Sequence, residues 1–375
     1  MLKDKYICNF LLILVLLYYG QGIVYPMGSV LSQASLLILM LASIVYFIKE
    51  LFLEKLKISL FVKAWTALLL LNVIGFFLKG KFESFGALQS ILLNMLPFYT
   101  FHYFSRKDVL TKNNLITLLV LLLPIFIYKF IQSNIELQAL KNREDVVDNT
   151  IYMFLGLIPF AFLFKRKLFS LITLLVLWII IVQSSKRAAI ICGAYGVLLF
   201  YYYQLKTVNK KHQLLNYIFT ISVIFGLSYL GYNYLMTNDY ILLRLEYMYE
   251  GSSSGRDRLN EIVFAAWYES NNYITLLFGN GFATSGDVTI NVSHNDWLDL
   301  LASFGLLGFG LYATLFYSSL KEIISGNWIL NKKVAFMCLM GIGLVTSLTS
   351  RWYGSSFGYS QMLLLPYLLA TKNKN

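Results

Sequence analysis

The chain has 375 residues, of which 58% are hydrophobic and 13% charged, and its formal net charge is +12. Soluble domains carry about a quarter charged residues, so the composition excludes an ordinary soluble protein and indicates an integral membrane one. The positive charge does not signal nucleic-acid binding, because Lys and Arg lie in short links between apolar runs rather than in one basic patch.

A helix needs about 20 apolar residues to cross the hydrocarbon core. In chain order such runs are expected at roughly 7–24, 28–48, 58–78, 86–104, 114–133, 150–164, 168–183, 188–205, 214–235, 297–320, 332–350 and 355–371, giving about twelve spans. The first lacks a clear small-residue cleavage site and reads as a retained span. Basic residues favour alternate links: Lys49, Lys55 and Lys57, then Arg106, Lys107 and Lys112, then Lys165, Arg166 and Lys167, then Lys206, Lys210 and Lys211. The intervening links hold fewer, and 134–149 is net acidic. By the positive-inside rule this alternation puts both termini in the cytoplasm. Cys8, Cys192 and Cys338 fall inside the runs and read as small apolar residues, with neither disulfide nor metal-ligand spacing. No soluble segment except 236–296 is long enough to fold alone, so the expectation is a single polytopic membrane domain over 1–375, and the lack of an internal repeat weakens an inverted-repeat transporter reading.

The polar segment 236–296 is the long exception, and the charge pattern puts it on the outer face. Ile241–Glu250 has amphipathic helical spacing, and Gly251-Ser252-Ser253-Ser254-Gly255 then breaks the chain. Ser254 is a candidate cap for a helix running to about Glu269, with Arg256, Asn260, Val263 and Trp267 on one face. Gly279 and Gly281 mark a turn, and Ser293-His294-Asn295-Asp296-Trp297 opens the next apolar run.

Three places on this outer face carry candidate chemistry. Lys186 and Arg187 follow Ser184 and Ser185 at a helix start; they read either as interfacial cations or as an anion site. Arg256 and Arg258 begin a helix, where a cation opposes the macrodipole. An anionic ligand gives such a pair a reason, and solvated pairing with Asp257 or Glu261 is the alternative. His294 reads either as an interfacial residue or as a general base. Arg244 and Arg351 also lie outside; each reads either as a helix anchor at the interface, the favoured reading, or as a further phosphate contact.

Together these residues form a pattern. A Ser185-Lys186-Arg187-Ala188 turn is followed by a long outer loop with Ser254-Gly255-Arg256 and Trp267. Gly279-Asn280-Gly281-Phe282 comes next, then Ser293-His294-Asn295-Asp296-Trp297-Leu298 leading into Gly305-Leu306-Leu307-Gly308. The pattern, over roughly 175–320, resembles the O-antigen ligase and O-antigen polymerase family (WaaL and Wzy proteins). The family's usual Ser-Arg-Gly turn is here Ser185-Lys186-Arg187. The resemblance implies an all-helical, GT-C-like membrane glycosyltransferase of the bacterial inner membrane, working on the periplasmic face without a cofactor or metal. It implies an undecaprenyl-diphosphate-linked oligosaccharide as donor, bound by Arg187 and Arg256 with Lys186 and Arg258 beside them. It implies His294 as the base, supported by Asn295, Gly279 and Gly281. The acceptor is a lipid-linked repeat unit for a polymerase, which the short, Tyr- and Phe-rich chain favours, or lipid A-core for a ligase. A lipid-linked oligosaccharide flippase is the alternative of another class. It predicts charges lining a path within the spans, for which Lys63 and Asp299 are the clearest residues.

Overall fold

A chain this apolar has few ways to satisfy its peptide groups away from water, and the helix is the one that needs no partner segment. The computed structural model describes residues 2–21, 28–53, 59–139, 150–184, 186–208, scattered positions from 214 to 236, 256–270, 272–289, 294–355 and 358–374. Within them the chain is all-helical. Among the described residues six helices are long and apolar enough to span a membrane. They are α2 (Val30–Ile48, continued by a π-helical turn, Lys49–Leu53), α3 (Leu60–Lys79), α6 (Lys112–Ala139), α9 (Arg187–Thr207), α13 (Asp296–Ser325) and α14 (Leu330–Thr349). Preceding them at the start of the chain is α1, Leu2–Tyr19.

Several expected spans take other forms, each for a local reason. The run at 86–104 is two helices, α4 (Phe85–Met95) and α5 (Pro97–Arg106), meeting where Pro97 has no N–H to give the helix ladder. The run at 150–164 is α7 (Ile151–Leu157) tightening into a 3-10 segment, Ile158–Leu163, that contains Pro159. After α8 (Lys167–Gln183) and the long helices, the last run is a π-helical turn, Ser360–Leu364, leading into α15 (Leu365–Thr371). The run at 214–235 lies largely outside the described residues, as do Ile241–Glu250, Arg244, Ser185, Ser254 and Ser293.

The helices present two distinct ends. At one, Lys374 pairs with Asp108 at 2.8 Å, and Lys332 at the start of α14 donates to the carbonyl of Thr371 at 2.8 Å. A crevice of about 920 Å³ opens nearby, lined by Leu2, Lys5, Asn9, Lys107, Asp108 and Asn114 among others, so both ends of the described chain lie on this side. A buried Glu50 there meets His102 at 3.2 Å and Arg106 at 3.6 Å. Helix α14 has 20 residues and rises about 1.5 Å per residue, so its far end, Thr349, lies about 30 Å away. That far end holds the polar residues picked out in the sequence.

Among its described residues the polar segment carries three short helices there: α10 (Arg256–Tyr268), α11 (Tyr273–Phe278) and α12 (Thr284–Val288). On α10, Val263 is buried while Asp257, Arg258 and Glu261 are exposed, as its helical spacing requires.

Candidate functional site

A break in α13 anchors the polar segment. Gly305 takes φ +61° and ψ −155° inside the helix, which interrupts its ladder of hydrogen bonds and releases carbonyls upstream. Two of these are claimed by the preceding turn: Asn280 N–H donates to Ala302 O at 2.9 Å and Gly281 N–H to Ser303 O at 3.0 Å. A side chain at Gly305 would meet the backbone of Leu276 and Leu277, and one at Gly279 (φ +75°) the backbone of Ser303 and Phe304. Gly279 and Gly281 thus let a loop lie against a kinked helix. Asn280 Nδ2 also donates to Ala266 O at 3.2 Å and Trp267 Nε1 to Leu276 O at 3.2 Å, which ties α10 to the same dock.

The start of α13 is fastened independently. The Asn295 side chain caps it, accepting from Trp297 N–H at 3.0 Å and Leu298 N–H at 3.3 Å. His294 stands just before that cap, exposed. Asp296 is fully buried, and its Oδ2 accepts from Tyr312 O–H at 3.0 Å, Trp352 N–H at 2.6 Å and Tyr353 N–H at 3.2 Å. Trp297 Nε1 donates to Ser347 Oγ at 3.0 Å. Four bonds therefore hold the His294 end of α13 against the end of α14, the loop after it and Tyr312.

Cations converge on this junction from three places in the sequence. Arg256 Nη1 donates to Thr349 O at 3.0 Å, so its charge lies at the C-terminal, negative end of α14. That favourable dipole offsets the unfavourable one of its own helix start. Lys186 is buried with its ammonium 4.6 Å from the Tyr152 ring centre, a cation–π contact. Arg351 donates through Nε at 3.2 Å and Nη2 at 2.8 Å to Asp299 Oδ2.

His294 registers this gathering. Its ring is open at the surface but crowded by protein on the other sides. That desolvation, then the charges of Arg256, Arg351 and Lys186, pushes its pKa below the usual 6.5, with Asp299 pulling the other way. The imidazole is accordingly neutral at pH 7, the form that accepts a proton.

The structure brings Lys186, Arg256 and His294 together, with Asn295 as the cap. Arg187 is exposed in the first turn of α9, and Arg258 is exposed on α10; neither is among the charges that act on His294. Arg351, expected as a helix anchor, pairs with Asp299 and lines two small cavities, of about 30 and about 20 Å³, each of which includes residues of several helices. Sequence reading missed the Arg351–Asp299 pair and the Asp296 clamp. The only signal was three acidic or basic residues at the outer ends of apolar runs. Among the described residues no three His, Cys, Asp or Glu side chains group closely enough to share a metal ion.

Comparison with protein-family models gives no match, and comparison with curated proteins gives none either.

Proposed function

We propose that this protein is a bacterial inner-membrane glycosyltransferase that polymerises surface polysaccharide, moving glycan from an undecaprenyl diphosphate carrier to a lipid-linked repeat unit at the periplasmic face. The observation that carries the proposal is the gathering of cations at the His294 end of α13: Arg256 donates to Thr349 O at the end of α14, Arg351 follows in the loop clamped by Asp296, and their charges with that of Lys186 act on His294. The sequence pattern described above supports the same reading.

The chemistry follows from what each group can do. An acceptor sugar hydroxyl is a weak nucleophile, and His294 takes its proton as the oxygen attacks the anomeric carbon. The bond from that carbon to the diphosphate oxygen breaks, and its electron pair leaves with the carrier lipid. Negative charge grows on the diphosphate, where fixed cations in a partly dry site stabilise it without reorganising. Arg256 and Lys186 supply such charge, and the exposed Arg187 and Arg258 serve as contacts for the incoming carrier. One displacement inverts the anomeric centre, so a product that retains the donor configuration would rule out this step.

Deletion of the gene, read as surface polysaccharide on a gel, separates the acceptors. Core bearing a single repeat supports polymerisation. Core with no repeat shifts the assignment to a ligase acting on lipid A-core, and an unchanged pattern removes both. A flippase reading gains little from the interior charges. Asp299 is paired with Arg351 at the helix end, and Lys63 is exposed in the first turn of α3.

A further inference from the structure

We infer that Arg351 is a further ligand of the diphosphate, held by Asp299 while the site is empty and shared with the ligand when it binds. The inference rests on the donor reading above and adds a residue to its site.

The backbone around Arg351 is fixed from several sides. Asp296 Oδ2 accepts from the Trp352 and Tyr353 amides at 2.6 and 3.2 Å. Gln361 Nε2 donates to Trp352 O at 2.8 Å, and Asn94 Nδ2 donates to Tyr353 O at 3.1 Å and to Ser355 O. The Trp352 ring lies where a side chain at Gly343 would stand, 2.6 Å from that position. Buried carboxylate and amide groups rarely converge on a surface loop unless its conformation matters, since each must be desolvated. Here they hold the one residue of the loop that carries a charge toward His294.

The guanidinium itself is half committed. Nε and Nη2 both donate to a single oxygen of Asp299, Nη1 makes no hydrogen bond among the described residues, and the side chain keeps 29% exposure. A guanidinium is a planar fork with five N–H donors, so engaging one edge leaves another able to meet phosphate oxygens. The partner carboxylate also solves a problem of the empty site. Three cations near one imidazole repel each other, and Asp299 offsets part of that charge until an anion arrives.

A purely architectural ion pair would look the same at rest, but it responds oppositely to mutation. Purified full-length protein in detergent micelles is titrated with undecaprenyl diphosphate, with undecaprenol as the uncharged lipid control. Arg351→Ala is expected to weaken diphosphate binding by about tenfold or more, and Arg351→Lys to restore part of it as a point charge without a fork. Asp299→Asn, which leaves Arg351 in place, is expected to tighten binding several-fold, and that gain is expected to vanish in Asp299→Asn/Arg351→Ala. Wild-type affinity in Arg351→Ala and Arg351→Lys would overturn the inference. So would an Asp299→Asn that binds no tighter, or one whose gain persists without Arg351. Should Arg351→Ala fail to fold, Arg351→Lys and Asp299→Asn still decide between the two readings. A wild-type protein that binds the diphosphate no better than undecaprenol removes the donor reading itself.

Discussion

At His294 two demands oppose each other. For the proposed role as base the ring must be neutral, and desolvation with nearby positive charge favours that form, but the same field makes it a weaker base. The consequence is a signed pH dependence. Transfer activity is expected to fall on the acid side as the imidazole protonates, with that limb shifted below the ordinary histidine value of 6.5. Arg256→Gln removes one depressing charge, so the pKa rises and the acid limb of kcat/KM moves to higher pH. Asp299→Asn removes the opposing anion and moves the limb to lower pH. A pH profile of transfer by each variant checks both signs, and unshifted limbs in both would remove His294 as the titrating base. Asp296 belongs to the same scale. Asp296→Ala leaves two buried amides without their acceptor, at about 1–3 kcal/mol each. The expected result is a lower melting temperature in detergent, with Asp296→Asn nearer wild type because one acceptor oxygen remains.

At the scale of elements, the kink of α13 is the joint on which the outer segment turns. Gly305→Ala forces a side chain into a positive-φ backbone that essentially only glycine adopts, at a cost of about 1–3 kcal/mol. It also places that side chain 2.5 Å from the backbone of Leu277. The expected outcome is loss of the α11 dock, seen as faster proteolysis within 269–281 while the long helices stay protected. Unchanged proteolysis would show that the dock does not depend on the kink. Uninterrupted spans were legible as apolar runs: 58–78 against α3, Leu60–Lys79, and 332–350 against α14, Leu330–Thr349. The helix on the outer segment was also legible, from its face of Arg256, Asn260, Val263 and Trp267. The division at Pro97 was not, because hydropathy averages across a proline that breaks the ladder. Nor was the partner of Arg351. Nothing local in Ser350-Arg351-Trp352 points to Asp299, which lies 52 positions earlier and meets it only after α13 and α14 pack. His294 and Arg256 were legible because each sits beside a helix-start signal.

At the scale of the molecule, the polar residues divide between two ends. The Lys5, Lys107, Lys332 and Lys374 end carries both ends of the described chain, and the His294 end carries the outer segment. The positive-inside rule assigns the first to the cytoplasm. Cys8, Cys192 and Cys338 are buried, so single introduced cysteines can be labelled above a low background. Glu269→Cys, at an exposed position on the His294 side, is expected to react with an impermeant maleimide in spheroplasts, and Lys107→Cys, exposed at the other end, only after lysis. The reverse pattern would invert the topology and remove the proposed periplasmic placement of the site.

The transfer reaction itself bears most directly on the central claim. Purified protein is given an undecaprenyl-diphosphate-linked repeat unit as both donor and acceptor, and product length is read by mass spectrometry. Wild-type protein is expected to yield multi-unit glycan on the carrier. His294→Ala, folded to the same melting temperature, is expected to lower the rate by about 10²–10⁴-fold, the usual contribution of a placed base. Multi-unit product from His294→Ala at the wild-type rate would contradict the account.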